Sequence, residues 1–279
     1  MDTTQIIKGY EIKERIGKGG YGAVYLVQKE NQQYALKKIT DLNKNEIENY
    51  QKLLDVLIKL KSEYVIKYYE SFVEKDCLYI IMEYGGNTDL KKYIEERFKK
   101  NNLIDEKKII NIINQICLGL KEIHKNKLIH RDLTPENIFM DKNNKSKIGD
   151  FGVSKITTTL QNYAMSLVGK YQYFAPEMDD GNKYNNKIDI YALGCIIYEL
   201  LTLKKYYNIK NKKEAIKIDI DIYNQNWLKL IDLTLKDDYN QRPNIEEIYN
   251  YINSEIIKNE IICTYNKKDK NGINILHNF

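Results

Sequence analysis

The chain changes character at Gly85-Gly86, and that change limits the folds open to it. Before the glycines, residues 10–39 carry short β-branched and aromatic segments broken by glycine or polar turn residues. The pattern predicts three antiparallel strands, at about 10–17, 22–29 and 32–39. Ile47, Tyr50, Leu53, Leu54 and Leu57 then recur at helical spacing. Two more strands are expected near 66–73 and 77–82. After the glycines, helical periods take over. Residues 105–124 are amphipathic, and 187–203 are apolar on nearly all sides, as a buried helix requires. Segments 227–235 and 244–257 read as two further helices. The expected class is α+β and bilobal. A small five-stranded β lobe with one helix (about 10–83) meets a hinge at 83–88 and a larger, mostly helical lobe (about 89–252). Residues 253–279 hold a helix end and a polar, Asn/Lys-rich tail.

Composition excludes several classes. Lys plus Arg is 44 and Asp plus Glu is 39, a net charge of +5, with the lysines scattered. That balance gives no basic arm or stripe for nucleic acid. The apolar run 191–203 is 13 residues long and contains Glu199, too short to enter and cross a bilayer. The start, MDTTQIIKGY, lacks an apolar signal core, so secretion is not expected. Four widely spaced cysteines read as buried free thiols of a reducing compartment. The cytoplasm is the expected location, with the nucleus open.

Four separated pieces point to a nucleotide. Gly17, Gly19 and Gly22, in GKGGYGAV, form a G-x-G-x-x-G loop, which alone is equally a flexible hairpin turn. A strand follows it, not a helix, so the dinucleotide version is excluded. Strand, glycine loop and strand make a flap whose backbone N–H groups can approach phosphate oxygens. Lys37 sits inside an apolar strand, where its ammonium needs a partner unless it faces water at an edge. Glu46 is the expected partner, one and two turns before Tyr50 and Leu53 on one helical face, with Glu48 as the fallback. The third piece is HRDLTPEN and the fourth Asp150-Phe151-Gly152, thirteen residues after Asn137. Asp132 can accept the proton of a substrate hydroxyl. Asn137 and Asp150 offer the hard oxygens that Mg²⁺ takes.

GKGGYGAV, YALKK, IHRDLTPENIF, GDFG, FAPE and DIYALG together resemble the eukaryotic protein kinases, in family order, over about residues 10–252. All three prolines, Pro135, Pro176 and Pro243, stand where that pattern has one. VIKYYESF, LYIIMEY, DFGVSK and ALGCIIYEL are similar to NIMA-related (never-in-mitosis-related) kinases. YQYFAPE and VIKYYESF also resemble the kinases of translation initiation factor 2. The resemblance implies a bilobal serine/threonine protein kinase using ATP and Mg²⁺ on protein substrates. It implies Lys37 on the α- and β-phosphates, and Met82 as gatekeeper with Glu83, Tyr84 and Gly85 as hinge. It places adenine between Val24 and Ala35 above and Phe139 below. His130 and Phe151 would join the lobes, Glu177 would pair with Arg242, and Asp189 would brace the catalytic loop. A scaffold that binds nucleotide or a partner without transfer is the alternative.

Three departures stand out. Thr134 occupies the place of a catalytic-loop lysine, which puts charge stabilisation of the transferring group in doubt. Lys170 occupies the place of a threonine in the activation segment, so the two residue types look exchanged; Lys170 is expected either to replace the missing lysine or to point to solvent and leave transfer slow. The interval from Glu46 to Val65 is about seven residues longer than usual, close to two helical turns. Ser166, or Thr157, Thr158 and Thr159, are expected sites for an activating kinase or autophosphorylation, with Arg131 receiving the phosphate.

Overall fold

A computed structural model of the chain describes residues 5–19, 22–86, 88–143, 145–151, 171–178, 184–206 and 223–257. Thr157, Thr158, Thr159, Ser166, Lys170 and the tail after residue 257 lie outside the described residues. The first lobe is an antiparallel sheet of β1 (Ile6–Ile7), β2 (Tyr10–Gly19), β3 (Gly22–Lys29), β4 (Gln32–Ile39), β5 (Tyr68–Glu74) and β6 (Cys77–Glu83). Its order is β1-β2-β3-β4-β6-β5. The five expected strands are present. The sixth, β1, is a two-residue pairing of Ile6 with Glu11 and Ile7 with Tyr10.

One helix, α1 (Lys44–Leu57), lies against this sheet. Asn43 caps it: its side chain accepts from the Glu46 amide at 3.0 Å, and the Glu46 carboxylate accepts from the Asn43 amide at 2.8 Å. Such a capping box stabilises a helix start by about 1 kcal/mol. Tyr50, Leu54 and Leu57 are its buried residues.

The second lobe begins with β7 (Thr88–Asp89) and α2 (Leu90–Lys99). Then come α3 (Glu106–Lys125), a 3₁₀ turn at Pro135–Asn137, β8 (Ile138–Met140) and β9 (Ser146–Ile148). Asp105 caps α3, accepting from the Lys107 amide at 3.0 Å. Helix α4 (Lys187–Thr202) is buried on every side from Ile188 to Leu201, including Asp189 and Glu199. Two carboxylates in such a place must be partnered. Glu199 accepts from the Tyr173 hydroxyl. α5 (Asn226–Thr234) and α6 (Ile245–Tyr251) complete the lobe, and α6 continues as a π-helical turn, Ile252–Ile256.

Among the described residues, the lobes are joined by main chain in two places. One is the hinge after β6. The other is the segment 64–66, which runs beside β9: the Ile148 amide donates to the Tyr64 carbonyl at 2.9 Å, and the Ile66 amide to the Ile148 carbonyl at 2.8 Å. Among the described residues, no helix is long and apolar enough to cross a membrane.

Candidate active site

The site is built outward from α4. Asp189, 1% exposed, reaches the loop after α3 and accepts the His130 amide at 2.9 Å and the Arg131 amide at 3.0 Å. His124 on α3 donates to the same carboxylate at 2.8 Å. Burial alone would raise the Asp189 carboxyl, but the His124 hydrogen bond and charge, with His130 close by, outweigh it and hold the carboxyl below its usual range. This brace fixes the loop that carries Asp132. The following Asn137 donates both hydrogens of its side-chain amide to Asp132, at 2.7 Å to the carbonyl and 3.1 Å to the carboxylate. Asn137 thereby presents its side-chain oxygen as an acceptor. Asp132 is 8% and Asn137 5% exposed, so the pair is held rigidly within the lobe.

His130 acts as a strut. Its Nδ1 accepts the Asp132 amide at 3.3 Å, so its Nε2–H donates to the Gly149 carbonyl at 3.1 Å. Burial pushes its pKa down and keeps the ring neutral. The His130 ring lies 4.8 Å from that of Phe151, which in turn lies 6.1 Å from Tyr68 on β5. This stack connects the lobes. Arg131 (φ 67°) and Asp150 (φ 50°) both adopt left-handed backbone, a strained choice for non-glycine residues that clusters at functional sites. Asp150 is ion-paired with Lys37.

Residues 10–255 match the family described as Protein kinase domain. The chain belongs to the protein kinase family. It is 38% identical over 209 residues to the serine/threonine-protein kinase Nek3 of Mus musculus, covering 74% of this kinase and 40% of that protein. It is 34% identical over 259 residues to the probable serine/threonine-protein kinase nek2 of Dictyostelium discoideum, covering 87% and 62% respectively. The relatives bear out the NIMA-related resemblance. This chain therefore spans less than two thirds of either protein.

In the kinase, the residues expected at the nucleotide are spread over β2, β3, β4 and the end of β6, with Phe139 on β8. Gly17 pairs with Val24, and Gly19 with Gly22, across the β2–β3 hairpin. Gly22 has φ 153°, and a Cβ there would meet the Lys38 carbonyl at 1.9 Å, so only glycine fits. Val24 stands opposite Lys37 and Ala35 opposite Met82. Ala35 and Met82 are buried, and Val24 and Phe139 half-buried. The Phe139 ring is confined between Gly85 and Gly149, where added Cβ atoms would approach it to 2.8 Å. Beside the hinge an open cleft of about 720 Å³ is walled by Glu83, Tyr84, Gly85, Phe139 and Lys147 among others. Glu83 is ion-paired with Lys147, a contact that sequence spacing does not reveal.

Two of the expected residues have other surroundings in this structure. Lys37 does not meet Glu46. The glutamate is the third residue of α1 and turns back to its own cap, while Glu48 is exposed. Lys37 pairs with Asp150 instead. Thr134 is fully buried beside a cavity of about 10 Å³ shared with Arg131, Asp132, Tyr173 and Phe174. There its carbonyl accepts the Asn137 amide at 2.9 Å. The platform below matches expectation: Arg242, without solvent exposure, binds Glu177 through two nitrogens at 2.7 and 2.8 Å. Among the described residues no three His, Cys, Asp or Glu side chains cluster as a metal site. A cation here would rest on the Asp150 carboxylate and the Asn137 oxygen plus phosphate, a donor set that suits Mg²⁺.

Proposed function

We propose that this kinase transfers the γ-phosphoryl group of Mg·ATP to serine or threonine hydroxyls of protein substrates. The observation that carries the reading is Asp132, a carboxylate held by Asn137 on a loop braced by buried Asp189. Asp132 takes the proton of the attacking hydroxyl. Asn137 and Asp150 hold the cation, and Lys37 binds the α- and β-phosphates. Val24, Ala35, Met82 and Phe139 enclose adenine, with Glu83 and Tyr84 at the hinge. The hairpin of Gly17, Gly19 and Gly22 covers the phosphates. Bound Mg·ATP supplies the activated phosphoryl group and neutralises charge on it. A phosphate on Ser166, or on Thr157, Thr158 or Thr159, would pair with Arg131 in the same reading.

Thr134 in the place of a lysine favours one second reading, a scaffold that binds nucleotide without transfer. Transfer of labelled phosphate from Mg·ATP to a generic basic protein separates the two, with Asp132→Asn as control. Incorporation lost in the control supports the enzyme. Tight nucleotide binding with no incorporation supports the scaffold.

A further inference from the structure

A lysine ammonium inside a sheet needs a counter-ion, because burying an unpaired charge is costly. The Lys37 side chain is 18% exposed, and among the described residues its ion-pair partner is Asp150. Helix α1 offers none. Its buried face is Tyr50, Leu54 and Leu57, and the half-buried Glu46 and Leu53, seven residues apart, flank that face on one edge. Glu46 is committed to the capping box. Tyr50 and Leu57 are each 1% exposed. Leu53 lies between them, half-buried and packed on the core. The helix's other carboxylates, Glu48 and Asp55, are exposed. Counted from Glu46, the interval to Val65 is about seven residues too long, two helical turns. Counted from Leu53, the excess vanishes. By the spacing that the kinase resemblance implies, Leu53 stands where the lysine's helix partner is expected.

We infer that Asp150 serves two partners in turn, as counter-ion to Lys37 in the empty site and as cation ligand once a divalent metal enters, because Leu53 leaves α1 without an inward carboxylate. The inference rests on the reading of Asp150 as a metal ligand. A divalent cation on the carboxylate repels the neighbouring ammonium, so metal entry and the Lys37 pair compete. Leu53 thus sets the Mg²⁺ demand of this kinase.

The test uses the full 279-residue chain. Leu53→Glu gives Lys37 a second carboxylate and frees Asp150, while Leu53→Gln supplies polarity without charge. The first readout is the Mg²⁺ concentration that half-saturates binding of a fluorescent ADP. It should fall roughly three- to tenfold in Leu53→Glu and stay near wild type in Leu53→Gln. The second readout needs no variant. Acetic anhydride labelling of Lys37, followed by mass spectrometry, should rise roughly threefold as MgCl₂ displaces the ammonium from its charge-assisted contact. Choline chloride at matched ionic strength should leave it unchanged. Either an unaltered or raised Mg²⁺ half-saturation in folded Leu53→Glu, or a wild-type labelling rate indifferent to MgCl₂, overturns the inference. If Leu53→Glu does not fold, the labelling decides alone. Neither readout requires phosphoryl transfer, so a chain that passes both yet labels no substrate refutes the proposed function and leaves this inference standing.

Discussion

Replacing Asp189 with asparagine tests how firmly the catalytic loop is tied to the buried helix. The carboxylate accepts three donors, His124 Nε2 at 2.8 Å, the His130 amide at 2.9 Å and the Arg131 amide at 3.0 Å. Asparagine has one acceptor oxygen. With that oxygen toward His124 and His130, its NH₂ group faces the Arg131 amide, donor against donor. One buried donor is then unsatisfied, at about 1–3 kcal/mol, and two charge-assisted bonds become neutral, at about 0.5–1 kcal/mol each. The sum is about 3 kcal/mol. For a domain of this size that lowers Tm by about 6–9 °C. Loop misplacement should cut kcat roughly tenfold or more while the KM for ATP changes little, since adenine binds elsewhere. The pH dependence follows from the depressed carboxyl. A carboxyl lowered on folding stabilises the fold above its unfolded value of about 3.9, and that contribution fades as pH falls through the folded value. The gap in Tm between wild type and Asp189→Asn should hold from pH 7 down to about 4 and close only below it. Thermal melts across pH, with steady-state kinetics at pH 7, measure both. A Tm change under about 1 °C at neutral pH, or a gap that widens on acidification, would refute the brace.

Two further outcomes are expected. Gly149→Ala places a Cβ 2.7 Å from Ile66 and 2.8 Å from Phe139, and should cost about 1–3 kcal/mol by denaturant melt and weaken nucleotide binding; Gly17→Ala, whose Cβ meets Val24 at an ordinary 3.5 Å, should fold normally, and equal melts for the two would contradict the packing. Lys170→Met should lose roughly 10²–10³-fold in kcat, the scale of one transition-state charge, and the double exchange Thr134→Lys/Lys170→Thr should recover more than its single changes predict; unchanged turnover in Lys170→Met removes Lys170 from the mechanism.

The parts of the site that were legible in the sequence are those whose chemistry is local. Asp132, Asn137 and Asp150 sit in short runs where a turn needs particular residue types, and the structure brings them to one place. The Glu177–Arg242 pair was legible only through resemblance, since 65 residues separate the two. The partner of Lys37 was not legible, because which turn of α1 faces β4 is a tertiary fact. Helical periodicity marks the inward stripe but does not say which member lies opposite the lysine. Glu46 carries the right charge, but in this structure it turns to its own helix cap while Lys37 pairs with Asp150. Helix α2 escaped notice because its charged run, LKKYIEERFK, buries only Leu90 and Ile94. Strand β1 escaped because two residues are too few to show alternation.

The joint at 64–66 has a mechanical consequence. Main-chain bonds to Ile148 pin it to β9, and Asp150 follows only two residues later. The hinge after β6 and this joint together define an axle about which the lobes can rock. Points near an axle travel little, and points at the end of the lever travel far. In the sheet order β2 and β3 lie beyond β4, away from β6 and the hinge that follows it, and Asp150 is beside the axle. Rocking about that axle would therefore move β2 and β3 far more than Asp150, which keeps nearly the same position relative to Asp132 and Asn137.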